Sequence, residues 1–120
     1  MSEAAFPITI FHNPKCGTSR TVVETVQAAG YAPEIVEYLK AGWTRPQLEG
    51  LLVRMGAKPR DILRARGTPA ETLGLLDPAV SDDRILEAMV AEPILVERPI
   101  VATPKGVRLC RPAERVRDLL

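Results

Sequence analysis

Cysteine and histidine are scarce in this chain: two cysteines, Cys16 and Cys110, and a single histidine, His12, among 120 residues. Two thiols so far apart in sequence exclude a disulfide scaffold, and with one histidine they cannot complete a zinc site of the usual type. A thiol that matters here therefore matters as a reactive group. An excess of one charge is also lacking, since 16 Lys plus Arg stand against 15 Asp plus Glu for a net charge of +1. That balance disfavours a basic nucleic-acid binder. No run approaches the ~18 to 20 apolar residues of a membrane span, and the start, Met1-Ser2-Glu3, has no basic n-region of a signal peptide. A soluble, cytoplasmic protein with no membrane partner is expected. With 46% apolar residues and a mass of 13.1 kDa, the chain is long enough for one core and too short for two. A single domain over 1–120 is predicted.

The run Phe6-Pro7-Ile8-Thr9-Ile10-Phe11 is β-branched, aromatic and alternating, which predicts a strand ending at the loop His12-Asn13-Pro14-Lys15. From Gly17 to Ala29 the apolar Val22, Val23 and Val26 share a helical face, with the small residues Thr18 and Ser19 at the start and Gly30 at the stop. A second strand over Glu34 to Leu39 closes a βαβ unit whose strands should be parallel. The middle is helical. Thr44-Arg45-Pro46-Gln47 reads as a capping box before Leu48, Leu51, Leu52 and Met55, and a short helix is expected over Pro59 to Arg64. Thr68-Pro69-Ala70-Glu71 reads as another capping box, and Ser81-Asp82-Asp83 opens a helix that Pro93 stops. Pro99 to Thr103 and Val107 to Cys110, joined by Pro104-Lys105-Gly106, predict an antiparallel hairpin. Pro112 suits the first turn of a last helix with Val116, Leu119 and Leu120. The order is that of a thioredoxin-like α/β domain: three layers around a small mixed sheet, with a helical insertion between the βαβ and ββα halves.

Cys16 sits at the strand-to-helix junction. There the unpaired N–H groups and the positive end of the helix dipole favour thiolate over thiol, so it is read as a nucleophile rather than an inert core cysteine. In Cys16-Gly17-Thr18-Ser19 a serine stands where a dithiol motif would place its second sulfur, so a resolving thiol must come from elsewhere. The donors of Gly17, Thr18 and Ser19 can also hold a tetrahedral oxyanion. Such an anion needs fixed positive charge, and arginine outnumbers lysine 12 to 4. Arg98 and Arg111 stand out because each precedes a proline at the edge of the terminal hairpin, and the Arg98-Pro99 bond is a candidate for the cis form. His12 has two readings, an ion-pair partner of Cys16 or a loop-capping side chain. Cys110, at the end of an apolar strand, reads as a small core residue and not as a partner of Cys16.

The segment His12-Asn13-Pro14-Lys15-Cys16-Gly17-Thr18-Ser19-Arg20 resembles the active-site loop of the glutaredoxin-coupled arsenate reductases. Ile62-Leu63-Arg64 after Met55-Gly56, Arg98-Pro99-Ile100-Val101 with Thr103-Pro104, and Arg108-Leu109-Cys110-Arg111-Pro112 resemble that family's later motifs, so the resemblance runs from Ile8 to Leu119. It implies that Cys16 attacks arsenate and that His12 helps to depress its pKa. It also implies that Arg64, Arg98 and Arg111 bind the oxyanion and that Ser19 is a helix-start serine near the thiol. Glutathione would serve as co-substrate and glutaredoxin as protein partner, with no metal and no bound cofactor, in a protein expected to be monomeric. Members often continue past the last helix, whereas this chain stops at Leu120, so whatever the longer tail does is expected to be absent or dispensable. The competing reading is a thioredoxin-like redox regulator of the kind that binds RNA polymerase, although Cys16-Gly17-Thr18-Ser19 lacks the Cys-x-x-Cys pair of such a switch. A thiol oxidoreductase acting on glutathione mixed disulfides is a third option, which the arginines disfavour.

Overall fold

The computed structural model describes residues 6–120, so the Met1-Ser2-Glu3 start lies outside the described residues. Two compact units divide the chain, one formed by Met1–Ala41 with Arg98–Leu120 and the other by Gly42–Glu97. The second corresponds to the stretch read as a helical insertion.

The first unit is built on a four-stranded sheet in the order β2-β1-β3-β4. Strand β1 (Thr9–His12) is followed by helix α1 (Gly17–Ala28) and by β2 (Glu34–Glu37), which pairs parallel to β1. Strands β3 (Ile100–Thr103) and β4 (Gly106–Leu109) form the expected hairpin, and β3 runs antiparallel to β1. Alternation along the strands sends Ile8, Ile10 and Val101 to one face. There they pack with Val22 and Val26 of α1 and with Cys110, Val116 and Leu119. Ile10 is wholly buried on a central strand, so Ile10→Ala is expected to cost about 2–5 kcal/mol of stability. A urea-denaturation midpoint unchanged by that substitution would contradict this account of the core.

Two boundaries of this unit differ from the sequence reading. Tyr38 and Leu39 do not extend β2 but begin α2 (Tyr38–Ala41), with Tyr38 fully buried. The last helix is a 3-10 helix over Ala113–Leu119, and Pro112 precedes it instead of lying in its first turn. Its two buried side chains, Val116 and Leu119, are three residues apart, and a three-residue repeat places i and i+3 directly above one another.

In the second unit, α3 (Arg45–Met55) carries the predicted capping box. Thr44 Oγ1 accepts from Gln47 N at 3.2 Å, and Gln47 Oε1 accepts from Thr44 N at 3.4 Å. The helix ends at Gly56, whose φ of 66° is open to glycine at little cost. A 3-10 turn over Pro59–Ile62 replaces the longer helix expected there. Helix α4 (Asp82–Ala91) starts with Ser81 accepting from Arg84 N at 3.1 Å, and a 3-10 turn over Pro93–Leu95 follows.

The second predicted capping box does not start a helix. Thr68 Oγ1 donates back to Arg64 O at 2.7 Å and accepts from Ala70 N, so it turns the chain instead of capping it. One turn forms, with Leu73 N bonded to Pro69 O, and Gly74 closes it at φ 74°. Asp77 and Pro78 then hold the chain in further turns up to Ser81. Among the described residues, no helix is long and apolar enough to cross a membrane.

Candidate active site

Strand β1 delivers its last residue, His12, to a tight loop, and Cys16 occupies the N-cap position of α1 with extended backbone, φ −95° and ψ 122°. Cys16 N donates to Asn13 O at 3.0 Å, and Cys16 O accepts the first helical bond, from Arg20 N. From that position a side-chain acceptor meets the free N–H groups of the first turn.

The two arginines arrive through hairpin register. Ile100 pairs with Leu109, and Cys110 N donates to Pro99 O at 2.9 Å, so Arg98 and Arg111 follow at the same end of the hairpin. Because Phe11 pairs with Ile100, that end lies beside the end of β1, where the Cys16 loop begins. Both X-Pro bonds that follow these arginines, Arg98-Pro99 and Arg111-Pro112, are cis. Arg111 Nη1 donates to Arg98 O at 3.0 Å and lies 3.6 Å from Cys16 Sγ.

Partial burial pushes the Cys16 thiol up, but the Ser19 backbone N–H and hydrogen bonds from Arg98 and Arg111 outweigh it and bring the pKa from the ordinary 9.0 down to about 7. The rate of Cys16 alkylation by a neutral reagent is therefore expected to rise with pH to a plateau, with a midpoint near 7. A midpoint at or above the ~8.5 of free cysteine would contradict the activation. Burial pushes the Cys110 thiol the other way, up to about 12, against the charges of Arg108 and Arg115. Cys110 is fully buried in the core, the role expected for it.

The side-chain hydrogen bond of His12 goes to Ser19. Its Nδ1 lies 2.5 Å from Ser19 Oγ, and burial, opposed by Glu37 and reinforced by Arg20, lowers its pKa. Ser19 Oγ accepts from Asn13 N at 3.1 Å, and both partners are satisfied when the serine proton is given to Nδ1. His12 thus braces Ser19, whose backbone N–H is one of the groups that lower the thiol pKa. That is the loop-capping reading, with the loop's serine as its object.

Gly17, Thr18 and Ser19 are the first three residues of α1. As first-turn residues they have N–H groups with no carbonyl one turn earlier inside the helix, and the Ser19 N–H is among the groups that lower the thiol pKa. Arg64 belongs to the second unit, where its N donates to Leu95 O at 2.7 Å. Its Nη1 pairs with Glu97 Oε1 at 2.8 Å, and its Nε donates to Arg66 O. Two residues of these arrangements were not singled out from sequence, Asn13 and Glu97. An Asn-Pro dipeptide signals a turn and could have pointed to the first, whereas nothing local marks an ion pair between residues 64 and 97. Among the described residues, no cluster of three metal-ligating side chains exists.

The parallel βα start, the antiparallel hairpin and a cysteine with a lowered pKa at the N-terminus of α1 define a thioredoxin-like protein with a thiol beside two arginines. The chain belongs to the ArsC family, whose model matches residues 11–119. It is 58% identical over 113 residues to the arsenate reductase ArsI2 of Synechocystis sp. (strain ATCC 27184 / PCC 6803 / Kazusa), covering 94% of this chain and 81% of that protein. To the arsenate reductase of Escherichia coli (strain K12) it is 47% identical, covering 94% and 80%. The structure of an arsenate reductase from Vibrio cholerae superposes with a TM-score of 0.91 at 34% identity, covering 97% of this chain and 99% of that one.

Proposed function

We propose that this protein reduces arsenate to arsenite, with Cys16 as nucleophile, glutathione as co-substrate and glutaredoxin as the protein that restores the thiol. The observation that carries the reading is the Cys16 sulfur held 3.6 Å from Arg111 Nη1 while the same guanidinium nitrogen is tied to Arg98 O. An activated thiol beside two arginines suits attack on a tetrahedral oxyanion, because the charge that favours the thiolate also holds the dianion. The relatives named as arsenate reductases, at 47% and 58% identity, support arsenate as that oxyanion.

In the first step the Cys16 thiolate bonds to arsenic, and an arsenate oxygen leaves as water after protonation, with arsenic still pentavalent. The Gly17 and Thr18 N–H groups and the guanidinium groups of Arg98 and Arg111 bind the remaining oxygens. Arg64 is proposed as a third binding arginine on the family resemblance. A glutathione thiolate then attacks Sγ. The sulfur–sulfur bond forms, the sulfur–arsenic bond breaks, and its electron pair stays on arsenic, which departs as trivalent arsenite. A glutaredoxin thiolate then attacks the glutathione sulfur, so that Cys16 leaves as thiolate and glutathione passes to glutaredoxin as a new mixed disulfide. The missing second cysteine of the loop, with Cys110 buried, supports an external thiol over an internal one. The protein is proposed to work in the cytoplasm as a monomer without metal or bound cofactor.

The test is arsenite production by the purified protein with arsenate, glutathione and glutaredoxin, compared with reactions lacking each thiol component. Turnover that needs both supports the reading. Catalytic turnover undiminished without glutathione and glutaredoxin, supplied only with thioredoxin, would refute the coupling; no arsenite under any condition would refute the activity.

A further inference from the structure

Asn13 is 5% exposed, and three of its polar groups bond within the Cys16 loop. Its carbonyl oxygen accepts from Cys16 N at 3.0 Å, its N–H donates to Ser19 Oγ at 3.1 Å, and its side-chain Oδ1 accepts from Lys15 N at 2.9 Å. The first two bonds use main-chain atoms that any residue would supply. The third depends on the asparagine side chain and closes the turn one residue before the nucleophile.

We infer that Asn13 is a positioning residue, whose side-chain oxygen holds the turn that sets the Cys16 sulfur beside Arg111 at the start of α1 and thereby leaves the Gly17 and Thr18 N–H groups for the oxyanion. The second half of this inference rests on the proposed arsenate reading; the first half does not. Without Oδ1 the Lys15 N–H loses its acceptor, the turn loosens, and the sulfur drifts from the helix start and from the Arg111 guanidinium that favours its ionised form. The negative charge then has fewer partners, and the oxyanion donors face a less ordered nucleophile.

Asn13→Ala and Asn13→Ser separate these effects, because a serine hydroxyl accepts from the N–H two residues on, more weakly than an amide oxygen. The midpoint of Cys16 alkylation by iodoacetamide against pH, measured on the free protein without arsenate, is expected to rise by about half a unit or more in Asn13→Ala and to return most of the way in Asn13→Ser. In the coupled assay kcat is expected to fall about tenfold in Asn13→Ala, with KM for glutathione unchanged. An alkylation midpoint in Asn13→Ala equal to that of the unaltered protein would overturn the inference, even with reduced thermal stability, since a merely structural role moves stability alone. If Asn13→Ala does not fold, Asn13→Ser decides by the same criterion, its midpoint expected slightly above that of the unaltered protein and overturning the inference if identical to it. A shifted midpoint in a protein that makes no arsenite would uphold the positioning role and refute the arsenate reading instead.

Discussion

Cys16→Ser is expected to lower arsenite formation by at least about a thousandfold, while Cys110→Ala keeps most of the activity. The two thiols have the same chemistry in isolation, so the difference lies in their surroundings. Cys16 is partly exposed at a helix start, with the Ser19 N–H, Arg98 and Arg111 holding its pKa at about 7. A serine hydroxyl in that place does not ionise near neutral pH and cannot form the sulfur–arsenic bond of the proposed mechanism. Cys110 is fully buried with its pKa pushed to about 12, and its Sγ lies 3.7 Å from Arg108 O within the core. Its replacement by alanine removes one buried sulfur, a loss of about 1 kcal/mol on the scale of one buried CH2-sized group. The measurement is the initial rate with saturating glutathione and glutaredoxin for each variant. Loss of activity in both, together with an intramolecular Cys16–Cys110 disulfide trapped during turnover, would overturn the external-thiol mechanism.

Arg98→Lys and Arg111→Lys are each expected to lower kcat/KM for arsenate about 10- to 100-fold at pH 7 although the charge is kept. Arg111 uses one guanidinium nitrogen both to grip Arg98 O at 3.0 Å and to lie 3.6 Å from the sulfur, and its other nitrogens remain free to meet an oxyanion. An ammonium is a point charge on a flexible stem and cannot span these positions in one geometry. The pH dependence divides the loss into two parts. Each arginine depresses the Cys16 pKa, so weakening that contact moves the titration to higher pH and leaves less thiolate at pH 7. Raising the pH to about 8.5 restores the ionised nucleophile, and activity should recover by the amount the alkylation midpoint has shifted. The deficit that persists there measures oxyanion binding. Full recovery at high pH would mean that these arginines act on the thiol alone, and no deficit at pH 7 would remove them from the site.

Much of this was legible in the chain because local rules operate locally. The Thr44 to Gln47 capping box, the Ser81 cap, the glycine stop at Gly56 and the Pro104-Lys105 turn each depend on residues within one helical turn or one hairpin. The same holds for the placement of Cys16, since a strand, a tight loop and a helix start are consecutive. Where reading failed, a competing interaction outside the pattern had won. Thr68 has the residue type of a cap, but its hydroxyl turns back to Arg64 O. Residues 113–119 are helical as the pattern predicts, but in the 3-10 form, with Val116 and Leu119 buried three residues apart.

The sequence by itself determined which residue is the candidate nucleophile, where it stands on its helix, and that no second thiol lies beside it in the loop. Tertiary structure decided what surrounds that nucleophile. Arg98 and Arg111 reach Cys16 only because the Ile100–Leu109 register stacks them at one end of the hairpin and β3 lies against β1. His12 was adjacent in sequence and open to two roles, and the tertiary structure buries it against Ser19 and lowers its pKa. Burial and strand register are properties of residues distant in sequence, and a thiol's pKa follows from the desolvation and charges that such residues bring to it.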